Sequence, residues 1–228
     1  IQTKVISENN FTYRNMIGIL DPLIKAKKLK ILDYGCGVGT IDFYLASKGH
    51  KVVGQEISVK ALRMCKKGAS AIGISKNTKF VSINNRIVSM FDIIICSEVL
   101  EHVTNDLSLL NKLLKLLEKH GFLIISVPSY NSTLYKLGLA RWHDERVGHQ
   151  RRYTVEALAA LVKTSGLKII KVEKKESVLR NILFSFPLFS IVVRAANRFS
   201  IISDILTFFD NILSVFGEGQ IILVAKRI

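Results

Sequence analysis

Between residues 33 and 40 the chain reads Asp33-Tyr34-Gly35-Cys36-Gly37-Val38-Gly39-Thr40, three glycines at alternate positions directly after a compact apolar run, Ile31 to Tyr34. Glycine tolerates the positive φ angles and the close backbone approach that such spacing serves. A strand entering this segment must turn sharply, and the helix leaving it points free amide N–H groups back over the turn. The spacing excludes two phosphate cradles. Counted from Gly35, the dinucleotide fingerprint would need its third glycine at Thr40, and no Gly-Lys-Ser/Thr follows for a P-loop. Asp33 would repel a pyrophosphate and suits a cationic amino-acid moiety.

Around this turn, short β-branched runs alternate with amphipathic stretches. Strands are predicted at Ile31 to Tyr34, Lys51 to Gln55, Lys79 to Ile83, Phe91 to Cys96, Phe122 to Val127 and Leu167 to Val172, with a last one at Gln220 to Ala225. Three consecutive isoleucines in Phe91 to Cys96 mark a strand buried on both faces. Helices are predicted at Ile41 to Lys48 and Val59 to Ala71, and over the leucine stripe Leu107 to Leu117, which Gly121 would break. Residues 129–153 read as a polar, aromatic-rich loop. Thr154 reads as the N-cap of a helix that ends near Ser165–Gly166. The alternation predicts an α/β fold with a doubly wound, mostly parallel sheet, whose ligands sit at the carboxyl ends of the strands.

The composition narrows the classes. Thirty-three Lys and Arg against 18 Asp and Glu give a net charge of +15, spread along the chain rather than clustered as a nucleic-acid binder would have it. Nucleic acid is therefore not the expected partner; the charge reads first as a generally cationic solvated surface and next as attraction to anionic lipid or an acidic partner. Cys36, Cys65 and Cys96 form neither a disulfide framework nor a zinc pattern and read as reduced thiols. With no signal-peptide pattern in Ile1 to Leu20 and no long uncharged apolar stretch, a cytoplasmic protein is expected, free or peripheral at a membrane surface. Residues 176–218 differ from the rest. Phe184, Phe186, Phe189, Phe199, Phe208, Phe209 and Phe216 fall in apolar, sparsely charged helices that could cover the sheet, pair two copies, or meet a hydrophobic substrate or a lipid surface.

The segment Asp33-Tyr34-Gly35-Cys36-Gly37-Val38-Gly39 resembles the first motif of the class I S-adenosylmethionine-dependent methyltransferases. The segments Cys96-Ser97-Glu98-Val99-Leu100-Glu101-His102-Val103 and Gly148-His149-Gln150-Arg151-Arg152-Tyr153-Thr154 are closest to its ubiquinone-biosynthesis O-methyltransferase-like subgroup. The resemblance covers residues 11–175 well and residues 176–228 weakly. It implies a Rossmann-like sheet of seven strands with the last antiparallel. It implies one domain throughout: an N-terminal lid helix within 1–29, a cofactor core over 30–175, the apolar helical insert over 176–218, and a final strand over 219–228.

Site roles follow from the same resemblance. Asp33, Gly35, Cys36, Gly37 and Gly39 would form the S-adenosylmethionine turn, and S-adenosylhomocysteine would be the product. Glu56, with Ile57 after it, would take the ribose hydroxyls, for which a carboxylate is well suited. Asn84 stands where the family often has an acid near adenine, Ser97 would lie beside the methionine part, and Tyr13 and Arg14 would reach the cofactor carboxylate. His102, Glu101 and His149 are the catalytic candidates, since removing a hydroxyl proton calls for a base titrating near neutrality. Glu98, Glu101 and His102 at i, i+3 and i+4 could converge on magnesium, although the motif is frequent where no metal is implied. The Asn/Asp-Pro-Pro-Tyr/Phe tetrad of amino-nitrogen methylation is absent. The expected acceptor is a small or lipid-like hydroxyl compound, taken by a monomer or homodimer. An RNA or protein methyltransferase and a catalytically inactive binding subunit are the alternatives. A nicotinamide dehydrogenase is disfavoured by the missing glycine at position 40.

Overall fold

The computed structural model describes residues 1–25 and 28–228; residues 26 and 27, at the end of the expected N-terminal lid segment, lie outside it. From the N-terminus the elements are α1 (Arg14–Ile24), β1 (Lys30–Tyr34), α2 (Thr40–Ser47), β2 (Lys51–Glu56), α3 (Val59–Ile72), β3 (Thr78–Ser82) and β4 (Phe91–Ser97). Then come α4 (Asp106–Leu114), β5 (Leu117–Pro128), α5 (Thr133–Lys136), α6 (Arg141–Val147), α7 (Val155–Thr164) and β6 (Lys168–Lys175). The chain closes with α8 (Val178–Ser185), α9 (Ser190–Arg198), α10 (Ser200–Ile212) and β7 (Gln220–Lys226).

The strands form one seven-stranded sheet in the order β3-β2-β1-β4-β5-β7-β6. Pairs from β3 to β5 are parallel, and β7 runs antiparallel to both neighbours, as expected. The order reverses between β1 and β4. The crevice that opens at such a switch point is where a doubly wound sheet takes its ligand. It is bounded by the glycine turn after β1 and by residues 97–103 after β4.

The isoleucines of β4 divide between the two faces of the sheet. Ile94 and Cys96 face a core with Leu110, Leu113, Leu158 and Val162 from α4 and α7. Ile93 and Ile95 face the other core, with Ile17 and Leu20 from α1 and Leu45 from α2. Burial of each such side chain contributes about 1.5–3 kcal/mol, which is why an uninterrupted apolar run is stable only at the centre of a covered sheet.

Three local expectations are corrected. The leucine-stripe helix stops at Leu114, and Leu117 instead begins β5, paired with Phe91. Leu117 is wholly buried in either role, so apolar periodicity could not separate them. Gly121 lies inside β5 and does not terminate the helix. His120 before it has φ +68°, the register with β4 shifts between Phe91 and Ile93, and a side chain at Gly121 would press on the carbonyl oxygens of Glu118 and Asp92. This is a bulge, at which glycine removes a steric conflict. Residues 129–153 hold α5 and α6 rather than continuous loop. Thr154 does cap α7, its hydroxyl accepting from Ala157 N at 3.2 Å.

The apolar insert packs on the N-terminal segment. Phe11, Leu183 and Ala196 form its small core. Arg180 is fully buried there, donating to Phe11 O at 2.5 Å and Thr207 Oγ1 at 3.1 Å, pairing with Asp210 at 3.2 Å and stacking over the Phe11 ring. Among the described residues no single helix is long and apolar enough to cross a membrane, and the apolar pair Val178–Ser185 and Pro187–Arg198 is bent by 95°.

Candidate active site

The three glycines of the turn meet different demands. A side chain at Gly35 would collide with Val99, and one at Gly39 would press on Cys65 Sγ at 3.1 Å and the Phe43 ring at 3.2 Å. At Gly37 φ is +55° and nothing lies within 4 Å of a would-be Cβ. Packing requires the outer two, whereas Gly37 leaves the main chain open to a ligand. Its N–H donates to Glu56 Oε2 at 3.0 Å, while Glu56 Oε1 accepts from Ser58 N at 2.8 Å. The carboxylate is thereby held at the rim of the crevice with lone pairs left for hydroxyl donors. Ile57, 73% exposed, stands beside it. Cys36 is half-buried behind the turn, and all three cysteines are free thiols. This cradle fits a nucleoside with a cationic amino-acid arm, because it offers open backbone and carboxylates rather than a basic phosphate clamp.

Beneath the turn lies an acid pair that sequence reasoning half missed. Asp33 is buried, and burial lifts its carboxyl to about 7, the neighbouring Asp42 carboxyl opposing the effect and the Glu56 charge adding to it. Asp42 from α2 is fully buried, and neither of its oxygens meets hydrogen-bond geometry with a donor. Burial, and then the charge of Asp33, push Asp42 well above the usual carboxylate range. An acid in an otherwise apolar helix was the available signal.

Asn84 is exposed past the end of β3 and lines a groove of 530 Å³ together with Gln55, Arg86 and Lys112. That groove touches the adenine side of the expected site and does not include the glycine turn. Tyr13 immediately precedes α1 and packs against its core. Arg14 is corrected: its guanidinium bonds Ser203, Asp204 and Thr207 of α10, so it ties the lid segment to the insert.

Across the crevice, Ser97 and Ser126 share a 2.7 Å hydrogen bond and Ser126 donates to Glu98 Oε1 at 2.8 Å, which makes Ser97 the donor to Ser126. Glu98 has φ +53° and also accepts from Gln220 at 3.0 Å. A non-glycine residue held in this region is strained, and such strain concentrates at functional sites. The strain turns the Glu98 side chain toward β5 and β7. The expected convergence of Glu98, Glu101 and His102 is thereby replaced by Glu101, His102 and His149, whose ligating atoms lie within 4.8 Å of one another.

Glu101 is fully buried, with no hydrogen-bond donor on either oxygen, and burial with the nearby Glu98 charge lifts it to about 9. The 148–150 segment is stitched over it by Gln150 N to Glu101 O at 2.8 Å and Gln150 Nε2 to His102 O at 2.9 Å. His149 Nδ1 lies 2.9 Å from Asp144 Oδ1, and Arg152 grips both oxygens of Asp144 at 2.6 and 2.8 Å. Burial opposes ionisation of Asp144, but the His149 and Arg152 bonds outweigh it and hold the carboxyl down at about 2. Asp144 was not singled out from the sequence, because α6 was read as loop, whereas Arg152 was noted only as part of the 148–154 motif. A groove of 360 Å³ opens beside them, lined by His149, Arg152 and Tyr135. Two imidazole donors do not fit magnesium, which prefers an octahedron of oxygens.

Comparison with known proteins places this geometry. The methyltransferase domain family model matches residues 10–172. Ubiquinone biosynthesis O-methyltransferase from Rickettsia akari (strain Hartford) is 33% identical over 117 residues, 49% of this chain and 45% of that protein. The chain thus spans about half the length of the curated relatives it matches. Magnesium protoporphyrin IX methyltransferase from Synechocystis PCC 6803, solved with bound SAH, superposes with a TM-score of 0.64 at 19% identity, over 95% of this chain and 82% of that one. The cyclase SpnF superposes with a TM-score of 0.66 at 18% identity, over 94% and 82%. At these identities a superposition establishes the Rossmann-like fold and not the reaction. With the family model matching across most of the sequence, the chain belongs to the methyltransferase domain family.

Proposed function

We propose that this chain transfers a methyl group from S-adenosylmethionine to a hydroxyl oxygen of a small or lipid-like acceptor. The observation that carries this reading is the pairing of two walls across the β1–β4 switch point. One is an open glycine turn clamped to Glu56, and the other a polar cluster of Ser97, Glu101, His102 and His149. Glu56 accepts from the ribose hydroxyls, Asp33 faces the amino-acid arm, Asn84 stands at the adenine and Ser97 at the methionine chain. The acceptor oxygen attacks the methyl carbon in line. The carbon–sulfur bond breaks and its electrons return to sulfur, leaving a neutral thioether. His149, aimed by Asp144, takes the hydroxyl proton at Nε2. Most of the rate comes from holding two reactants in line in a dry crevice, which can be worth about 7–11 kcal/mol.

The insert supports a lipid-like acceptor. Leu188, Ile201, Phe208, Val215 and Phe216 are each more than 60% exposed, and the chain is strongly cationic. An apolar face on a basic protein suits an anionic bilayer. The test incubates the chain with tritiated-methyl S-adenosylmethionine and with lipid, small-molecule and RNA fractions. Label in a lipid or small-molecule ether is expected; label confined to RNA or protein overturns the acceptor class. The same chain should pellet with phosphatidylglycerol vesicles and not with phosphatidylcholine ones, and failure to pellet with either removes the membrane contact.

A further inference from the structure

Residues 83–90 carry the chain from the end of β3 to the start of β4 without a helix. A parallel crossover ordinarily lays a helix over the sheet face that it crosses. Here Ile83 and Ile87 cover part of the face shared with α4, and a groove of 530 Å³ stays open between this segment and α4. That volume falls within the roughly 300–1,000 Å³ of small-molecule sites. The groove leads away from the cofactor crevice. It begins at Asn84, past the carboxyl end of β3, and reaches Leu116, whose carbonyl accepts from the N–H of Phe91, the first residue of β4. It thus runs down the sheet toward the amino ends of the strands and includes neither the glycine turn nor Glu56.

Gln55 of β2 lies at the groove's floor and is 1% exposed. Its Nε2 donates to Asn85 O at 3.1 Å and Ser82 O at 3.5 Å. Both are carbonyls and only accept, so the amide cannot be turned round. Gln55 Oε1 points the other way and meets no donor. A buried amide oxygen calls for one. The rim is cationic: Arg86, Lys112 and Lys115 are exposed, and no acid lines the groove. Among the described residues none of the three forms an ion pair. Lys112 Nζ is held 5.3 Å from the centre of the Tyr34 ring. We propose that this groove binds a nucleoside monophosphate, at a site separate from that of S-adenosylmethionine. A base edge donates an N–H to Gln55 Oε1, the base plane lies against Ile83, Ile87 and Leu116, and the phosphate meets Arg86, Lys112 and Lys115. Charge alone would take any anion. The unpartnered amide oxygen adds the need for a donor, and the apolar wall adds the need for a flat body between donor and charge.

The experiment uses AMP as the probe and needs no methyl acceptor. AMP is titrated calorimetrically into the full chain, alone and with saturating S-adenosylhomocysteine. One AMP per chain is expected in both cases, with affinity falling as salt rises. Arg86→Ala and Lys112→Ala should each weaken AMP about tenfold, and Gln55→Met about fivefold, with native circular dichroism. Arg86 and Lys112 are exposed, so their variants decide the matter if Gln55→Met does not fold. Lys66→Ala, on α3 and outside the groove, should change nothing. Adenosine and inorganic phosphate should each bind roughly tenfold more weakly than AMP. Absence of AMP binding to the folded parent overturns the proposal. So does displacement of AMP by S-adenosylhomocysteine, which would make the groove part of the cofactor site. Adenosine or phosphate binding as tightly as AMP, or an affinity indifferent to both Arg86→Ala and Lys112→Ala, overturns it equally.

Discussion

The two walls of the crevice are built differently. The wall after β1 and β2 is made within a stretch of some 25 residues, largely from main chain: positive φ at Gly37, an amide bonded to Glu56, and packing that leaves no room at Gly35 or Gly39. The wall after β4 is made from side chains that are distant in sequence. Glu101 and His102 meet His149, which Asp144 and Arg152 hold, while Glu98 is drawn off to Gln220 near the far end of the chain. The first wall is fixed by local conformational rules. The second exists only after the strands and the 141–153 segment have docked. A family can keep the first and vary the second, which is how one fold comes to serve many acceptors.

Five single substitutions would break or sharpen this contrast. The largest effect is expected outside both walls, at the joint that sets the insert on the N-terminal segment. Arg180→Leu leaves Asp210 buried without its partner and should cost about 3–5 kcal/mol in urea unfolding. A variant as stable as the parent would mean that the joint holds nothing. Gly37→Leu should lower S-adenosylmethionine affinity about a hundredfold by calorimetry with a native circular dichroism spectrum. Gly35→Ala should instead lower the melting temperature, and Val99→Ala added to it should recover part of the loss. If Gly37→Leu melts early and Gly35→Ala merely binds poorly, the division of labour in the turn is reversed.

Glu56→Ala should weaken cofactor binding about tenfold, near the 1.4 kcal/mol expected of a charge-assisted bond, with melting unchanged. An undiminished affinity would take the ribose away from it. The smallest effect concerns the buried acid pair. In the unfolded chain an aspartate ionises near 3.8, whereas in the folded chain Asp33 ionises at about 7 and burial holds Asp42 well above the usual carboxylate range. The folded state thus holds protons that the unfolded state has released. Stability is full below 3.8 and falls as pH rises through about 7. Asp42→Ala should flatten that decline and raise stability at pH 8 by about 1 kcal/mol, since it removes a buried carboxyl whose oxygens meet no donor. A steeper decline in the variant would mean that Asp42 stabilises the fold.

Hydrophobic periodicity marked the strand cores correctly because burial on one or both faces is imposed residue by residue. It failed at Leu117, whose burial is the same in a helix as in a strand, and at Gly121, where a bulge and a helix stop call for the same residue. Arg14 was misplaced because nothing local says that its partners lie at positions 203–207. Glu98 was grouped with Glu101 and His102 by helical spacing, but its positive φ takes it out of any helical turn.

By itself the sequence determined the parallel sheet and the open turn, because those follow from alternation and glycine geometry, and its resemblance to a family pointed to the carboxylate at the end of the second strand. The tertiary structure alone decided which polar groups share the opposite wall, that Asp144 and Arg152 hold the His149 ring in place, and where the apolar insert rests. These depend on segments tens of residues apart being brought within a few ångströms by the burial of unrelated side chains, and no local pattern encodes that.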